Sequence, residues 1–215
     1  MSEKREGRGF DFYEYAAILA PGAVVLTGVY LVYSGGLGVG ALKDMGVGGL
    51  GFATVIAYVA GHLIQAVGNG VEWIWWKAWG GWPTDWVRTN RHQKLISDEQ
   101  LAALETRVNS RLGLPSPVKI REMTERGWHG VTRQIHAAVS CVESRVRRME
   151  GFNGNYGLNR GIASSMFVIW VLAAINGKSW WWMALAGSGI AIIRMHRFGK
   201  HYARELFVQF LELPS

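Results

Sequence analysis

The sequence predicts an all-α polytopic membrane protein, with four transmembrane helices and a small helical cytoplasmic region, assembled as an oligomer. Three observations carry that expectation. Apolar residues make up 49% of the 215 residues and come in blocks separated by polar segments. The chain also holds 11 Trp and 28 Gly, and membrane proteins favour Gly inside helices and Trp at the headgroup level. Finally, the stretch from Gly51 to Glu72 meets the length of about 20 mostly apolar residues needed to cross a bilayer. It nevertheless carries Thr54, Tyr58, His62, Gln65, Asn69 and Glu72, separated by four, four, three, four and three positions. On a helix that spacing draws one polar stripe.

Residues 1–14 mix charges of both signs and read as a cytoplasmic leader. The apolar run from Tyr15 to Tyr33 is too long for a secretory signal core and has no cleavage site behind it, so it reads as a retained anchor. Pro21, inside that run, predicts a kink or a helix that starts there. Ser34 to Gly49 is glycine-rich and reads as an extracytoplasmic loop. Gly46, Gly48 and Gly51 spell G-x-G-x-x-G, but dinucleotide binding requires a strand before the motif and an acid behind it. The Gly51–Glu72 helix follows, with Ala53, Ala57, Gly61 and Gly68 forming a face of small residues that lets another backbone approach. The first helix pair thus occupies residues 15–83. Trp73, Trp75, Trp76, Trp79, Trp82 and Trp86 read as an interfacial belt, with an aromatic ligand cage as the alternative. Gly80, Gly81 and Pro83 end the helix.

Residues 84–157 form a basic helical region expected on the cytoplasmic side. Ser97 and Gln100 make a capping box ahead of Leu101, Leu104, Val108 and Leu112, and Gly113 and Pro115 close that helix. A second helix is expected from Gly130 to Glu150, burying Val131, Ile135, Ala138, Val142 and Met149. Its exposed side carries Arg133, Arg145, Arg147 and Arg148, with Glu143 spaced to pair with Arg147. Residues 158–194 read as a transmembrane hairpin broken at Gly177 to Ser179. Residues 195–215 form an amphipathic cytoplasmic tail with Phe198, Tyr202, Leu206, Phe210 and Leu213 on one stripe, lying on the membrane or packing on the basic region. With four spans, both termini share a side with the basic region, and only Lys43 and Lys178 lie opposite. The positive-inside rule makes the shared side cytoplasmic, which places the chain in a cytoplasmic membrane.

The charge admits two readings. From Thr84 to Arg160 there are 13 basic residues and eight acidic ones. Topology and anionic lipid account for that surplus, and so does an anionic nucleotide or short single-stranded nucleic acid bound by arginine. The best placed for such a ligand are Arg133, Arg145, Arg147 and Arg148.

The polar stripe admits three. Its residues hydrogen-bond to neighbouring helices, or line an aqueous pore around a symmetry axis with Glu72 as a selecting carboxylate, or form a proton relay with His62 as base. Four short spans cannot enclose a channel alone, so a pore requires a homo-oligomer. His62 and Glu72 are ten residues apart, about 15 Å along the axis, and no HExxH, serine elbow, P-loop or kinase motif is present. No catalytic residue, cofactor or metal ligand is therefore assigned. His129 with His136, and His196 with His201, read as surface histidines. The single Cys141 leaves no internal disulfide. The alternatives to a channel are a membrane-embedded enzyme acting on a lipid-linked substrate and a scaffold for a cytoplasmic partner.

The segments FYEYAAILAPGAVVL, YVAGHLIQAVGN with Glu72 behind it, YGLNRGIA and RFGKHYARELFVQFL together resemble small bacterial membrane proteins of anti-phage defence, of the Hailong channel-effector type. The resemblance implies an oligomeric channel in the bacterial inner membrane that depolarises the infected cell. It also implies control by a nucleic-acid-like signal from a partner nucleotidyltransferase.

Overall fold

The computed structural model describes residues 12–34, 46–89, 95–112 and 117–214, without the side chains of 12–14, 143–145 and 147. Residues 1–11, residues 35–45 of the expected loop, and the stops Gly113 and Pro115 lie outside the described residues, as does the Glu143–Arg147 pair among side chains. The described chain is all-helical: α1 (Phe12–Tyr33), α2 (Val47–Ala78), a 3-10 turn (Pro83–Asp85), α3 (Trp86–Thr89), α4 (Asp98–Arg111), a 3-10 turn (Ile120–Glu122), α5 (Glu125–Ser140), α6 (Glu143–Ile175) and α7 (Trp181–Leu211). Three stretches are long and apolar enough to cross a membrane: Tyr15–Tyr33, Val47–Thr89 and Arg148–Ile175. Two compact units result, one of residues 1–72 and 154–195, the other of 73–153 and 196–215.

In the first unit the small-residue face of α2 meets α1. A Cβ on Gly22 would collide with the Ala57 carbonyl, and one on Gly61 with the Ile18 carbonyl, so the two backbones touch where only hydrogen fits. α1 continues through Pro21 rather than starting there. The proline has no N–H for the Ala17 carbonyl four residues earlier. The amide Nε2 of Gln65 takes that place, donating to Ala17 O at 2.6 Å. Ser165 Oγ donates to Pro21 O at 2.8 Å, tying α6 to the same turn. α2 begins at Val47, so Gly48 and Gly51 lie within its first turns and no strand precedes them among the described residues. The dinucleotide-loop reading has no support in that geometry.

α2 and α6 each end on glycine. Gly80 (φ 76) and Gly177 (φ 62) adopt the left-handed conformation. At the first, Gly80 N donates to Lys77 O and Gly81 N to Trp76 O; at the second, Gly177 N donates to Ala174 O and Lys178 N to Ala173 O. This is the Schellman pairing that satisfies a helix's last carbonyls.

The second unit has its own core. Leu101, Leu104 and Val108 of α4, Trp128, Val131, Ile135 and Val139 of α5, and Met149 of α6 pack with Leu206, Phe207 and Phe210 of α7 and with Leu213 just beyond its end. Leu206, Phe210 and Leu213 of the tail stripe are thus buried in this core, with Tyr202 partly buried against it. Trp128 and Phe207 stack at 5.8 Å. The Ser97–Gln100 capping box is present in both directions. Two expectations are corrected. The helix expected over Gly130–Glu150 is two helices, because Val139, Ser140, Cys141 and Val142 are weak helix formers; α5 ends at Ser140 and α6 starts at Glu143. Conversely, the second arm of the hairpin and the tail are one helix, α7. The charge at Arg194 marks a change of surroundings and does not break the backbone.

Candidate functional site

Pro21 and the small residues of α1, α2 and α6 bring a charged pair into the helix packing of the first unit. Arg160 on α6 donates from Nη1 to Glu72 Oε2 at 2.6 Å. Its Nε and Nη2 donate to Gln65 Oε1 at 3.2 and 2.7 Å. The Tyr156 hydroxyl donates to the other carboxylate oxygen of Glu72. Gly68 leaves the space for this: a Cβ there would meet Ser164 Oγ at 3.2 Å and Arg160 Cγ at 3.3 Å. Glu72 is only 5% exposed. Gln65 therefore uses its donor on the proline-freed carbonyl and its acceptor on the guanidinium, which fixes the orientation of its amide. A charge buried this way is tolerated because each ion finds a counter-ion and further hydrogen bonds.

The six residues of the expected stripe thus divide. Gln65 and Glu72 turn into the chain and hold Arg160. Thr54, Tyr58, His62 and Asn69 are exposed on the surface of α2. Tyr58 and His62 pack edge to face at 4.7 Å, and the Thr54 hydroxyl returns to Leu50 O. These four share the exposed surface of α2 with Val55, Val59, Leu63 and Val67.

Arg160 and Tyr156 are absent from the sequence-derived site. Their signal was the i,i+4 pair of polar residues in YGLNRG, which faces the foot of the α2 stripe once α6 is seen to be continuous from Glu143.

In the second unit, four indoles enclose His196. Trp79, Trp76, Trp86 and Trp75 have ring centroids 4.6, 5.1, 5.8 and 6.0 Å from its imidazole. Trp75 Nε1 donates to its Nδ1 at 3.2 Å, so that nitrogen is an acceptor and the ring is neutral with its proton on Nε2. Burial, then the nearby Lys200, hold His196 below its ordinary pKa of 6.5. The cage that the tryptophans suggested contains a residue of this chain.

Of the four arginines assigned to an anion, Arg148 pairs with Glu205 at 3.5 Å. Arg133 lines a 510 Å³ hollow with Arg126, Glu125, His129 and Gly130. The side chains of Arg145 and Arg147 lie outside the described ones. No family model, curated protein or solved structure matches the chain.

Proposed function

We propose that the chain forms a homo-oligomeric ion channel in the bacterial inner membrane, with four spans, both termini cytoplasmic, and the basic region as the receiver of an anionic nucleotide or short nucleic acid. α7 supplies the fourth span through its apolar first half. The role fits a defence effector that depolarises the membrane when a partner nucleotidyltransferase makes the signal. One observation carries the reading: His62 and Asn69, with Thr54 and Tyr58, are exposed halfway along a helix otherwise suited to lipid. Polar side chains facing hydrocarbon are costly, whereas the same row around a shared axis meets water. Glu72 and Gln65 stand behind that row, and opening of the Arg160 pair would release a carboxylate toward it. Arg133 and Arg126, on an open hollow, support the anion site.

Planar-bilayer recording of the purified chain tests this. Unitary currents are expected, altered in size or selectivity by His62→Leu and Asn69→Leu, with a multimeric mass in detergent. A strictly monomeric particle, or currents unchanged by both substitutions, would sink it. Replacing Arg126 and Arg133 by Ala should weaken nucleotide binding and flatten its salt dependence. A second reading, an enzyme acting on a lipid-linked substrate, is supported by a 780 Å³ apolar hollow lined by Thr27, Met166, Ile169, Lys178 and Trp180. It requires turnover by the monomer.

A further inference from the structure

In the second unit, three side chains from two elements converge beside the hollow that Arg133 lines. Asp85 ends the 3-10 turn Pro83–Asp85, and Glu125 and His129 stand four residues apart on the first turns of α5. One ligand-type atom from each lies within 4.8 Å of the other two. His129 Nε2 is 3.9 Å from Asp85 Oδ2 and 3.8 Å from Glu125 Oε1, too long for hydrogen bonds. Around a tetrahedral zinc with bonds of about 2.0–2.1 Å, neighbouring ligand atoms stand about 3.3–3.4 Å apart. Shifts of roughly half an ångström, within reach of the exposed Glu125 and His129 side chains, would bring the three to that geometry.

Two further observations point to a cation. Asp85 is 4% exposed, and its Oδ1 is buried with no hydrogen-bond partner. A buried carboxylate so placed requires compensation. Arg88 supplies part of it through space but not by contact: among the described residues no ion pair joins a lysine or arginine to Asp85, and Arg88 Nη1 donates to Met123 O. The framework is also fixed before any ion arrives. Trp128, fully buried, donates from Nε1 to Thr84 O at 3.0 Å, binding the 3-10 turn to α5. The Trp86 indole donates to Gly81 O and the Thr89 hydroxyl to Asp85 O.

We infer that Asp85, Glu125 and His129 form a binding site for a divalent transition-metal ion, zinc above the others. Two carboxylates and one imidazole balance a double positive charge and suit a borderline metal better than the all-oxygen shell of calcium or magnesium. Three protein ligands leave the fourth position open to the hollow, where Arg126 and Arg133 favour an anionic exchangeable ligand. The His129–Glu125 spacing sets both groups on one helical face, while Asp85 is 40 residues away in sequence from Glu125, which is why no local motif announces the site.

The test is calorimetric titration of the full chain in detergent with Zn²⁺ after chelator treatment. One ion per chain is expected. Glu125→Gln and His129→Gln should each weaken binding tenfold or more, and His136→Gln, outside the cluster, should leave it unchanged. Asp85→Asn is read only if its unfolding midpoint in chelator matches the parent; the two exposed positions decide the matter without it. Absence of stoichiometric zinc, or binding that survives both exposed substitutions, or binding lost with His136 instead, would overturn the assignment.

Discussion

Arg160→Met removes the cation from the most buried charge in the first unit. The guanidinium makes three hydrogen bonds, at 2.6 Å to Glu72 and at 2.7 and 3.2 Å to Gln65. Without it, a carboxylate 5% exposed keeps, among the described residues, the Tyr156 hydroxyl alone. Breaking a buried pair by removing one partner typically costs about 3–5 kcal/mol, because the remaining ion stays desolvated. Replacing both partners by apolar groups removes that charge, so Glu72→Met with Arg160→Met should recover at least about 2 kcal/mol of the single-variant loss. The remainder reflects Gln65 and Tyr156, each left short of one partner. Denaturant unfolding in detergent micelles, followed by near-ultraviolet circular dichroism, reads both numbers. A single-variant loss below about 1 kcal/mol would show that the pair is effectively solvated. A double variant as unstable as the sum of its singles would show that the two charges do not compensate each other.

Three other outcomes follow from named contacts. Gly61→Ala should destabilise by at least about 3 kcal/mol or prevent folding, since its Cβ meets the Ile18 carbonyl, while Gly70→Ala, with open space around it, should be neutral or stabilising in the same unfolding assay. Gln65→Met should cost less in a Pro21→Ala background than in the parent, with a coupling of about 1 kcal/mol, because alanine restores an N–H for Ala17 O. For His196, the imidazole is held below its ordinary value of 6.5, so below that pH the unfolded chain binds more protons. The stability it contributes is present above that pH and is lost as pH falls toward its folded pKa. Melting followed by tryptophan fluorescence at about pH 7.5 and about pH 5.5 should therefore show a smaller drop in His196→Phe than in the parent.

The elements readable in the sequence were those with local causes. The Ser97 box, the α4 stripe, the glycine stops and the small face of α2 each depend on residues within a few positions of one another. What escaped depended on distant partners. Arg160 reads as one more cytoplasmic charge until α6 is known to run unbroken past it. Gln65 reads as part of a polar row, and only its position opposite a proline in another helix explains where its amide goes. His196 looks like a surface histidine because its four indoles lie some 110 to 120 residues earlier. The break at Cys141 lay within view, but a continuous apolar period through Val139, Val142 and Met149 outweighed the weak propensity of the residues between.

That break also leaves the molecule with a convenient handle. Cys141 is the one thiol in the sequence and is exposed between α5 and α6. A maleimide dye attached there adds a single fluorophore to each chain, so photobleaching steps in one detergent particle count protomers directly. With a reagent unable to enter intact cells, the same position reports which compartment the α5–α6 junction faces, without altering any residue of the protein.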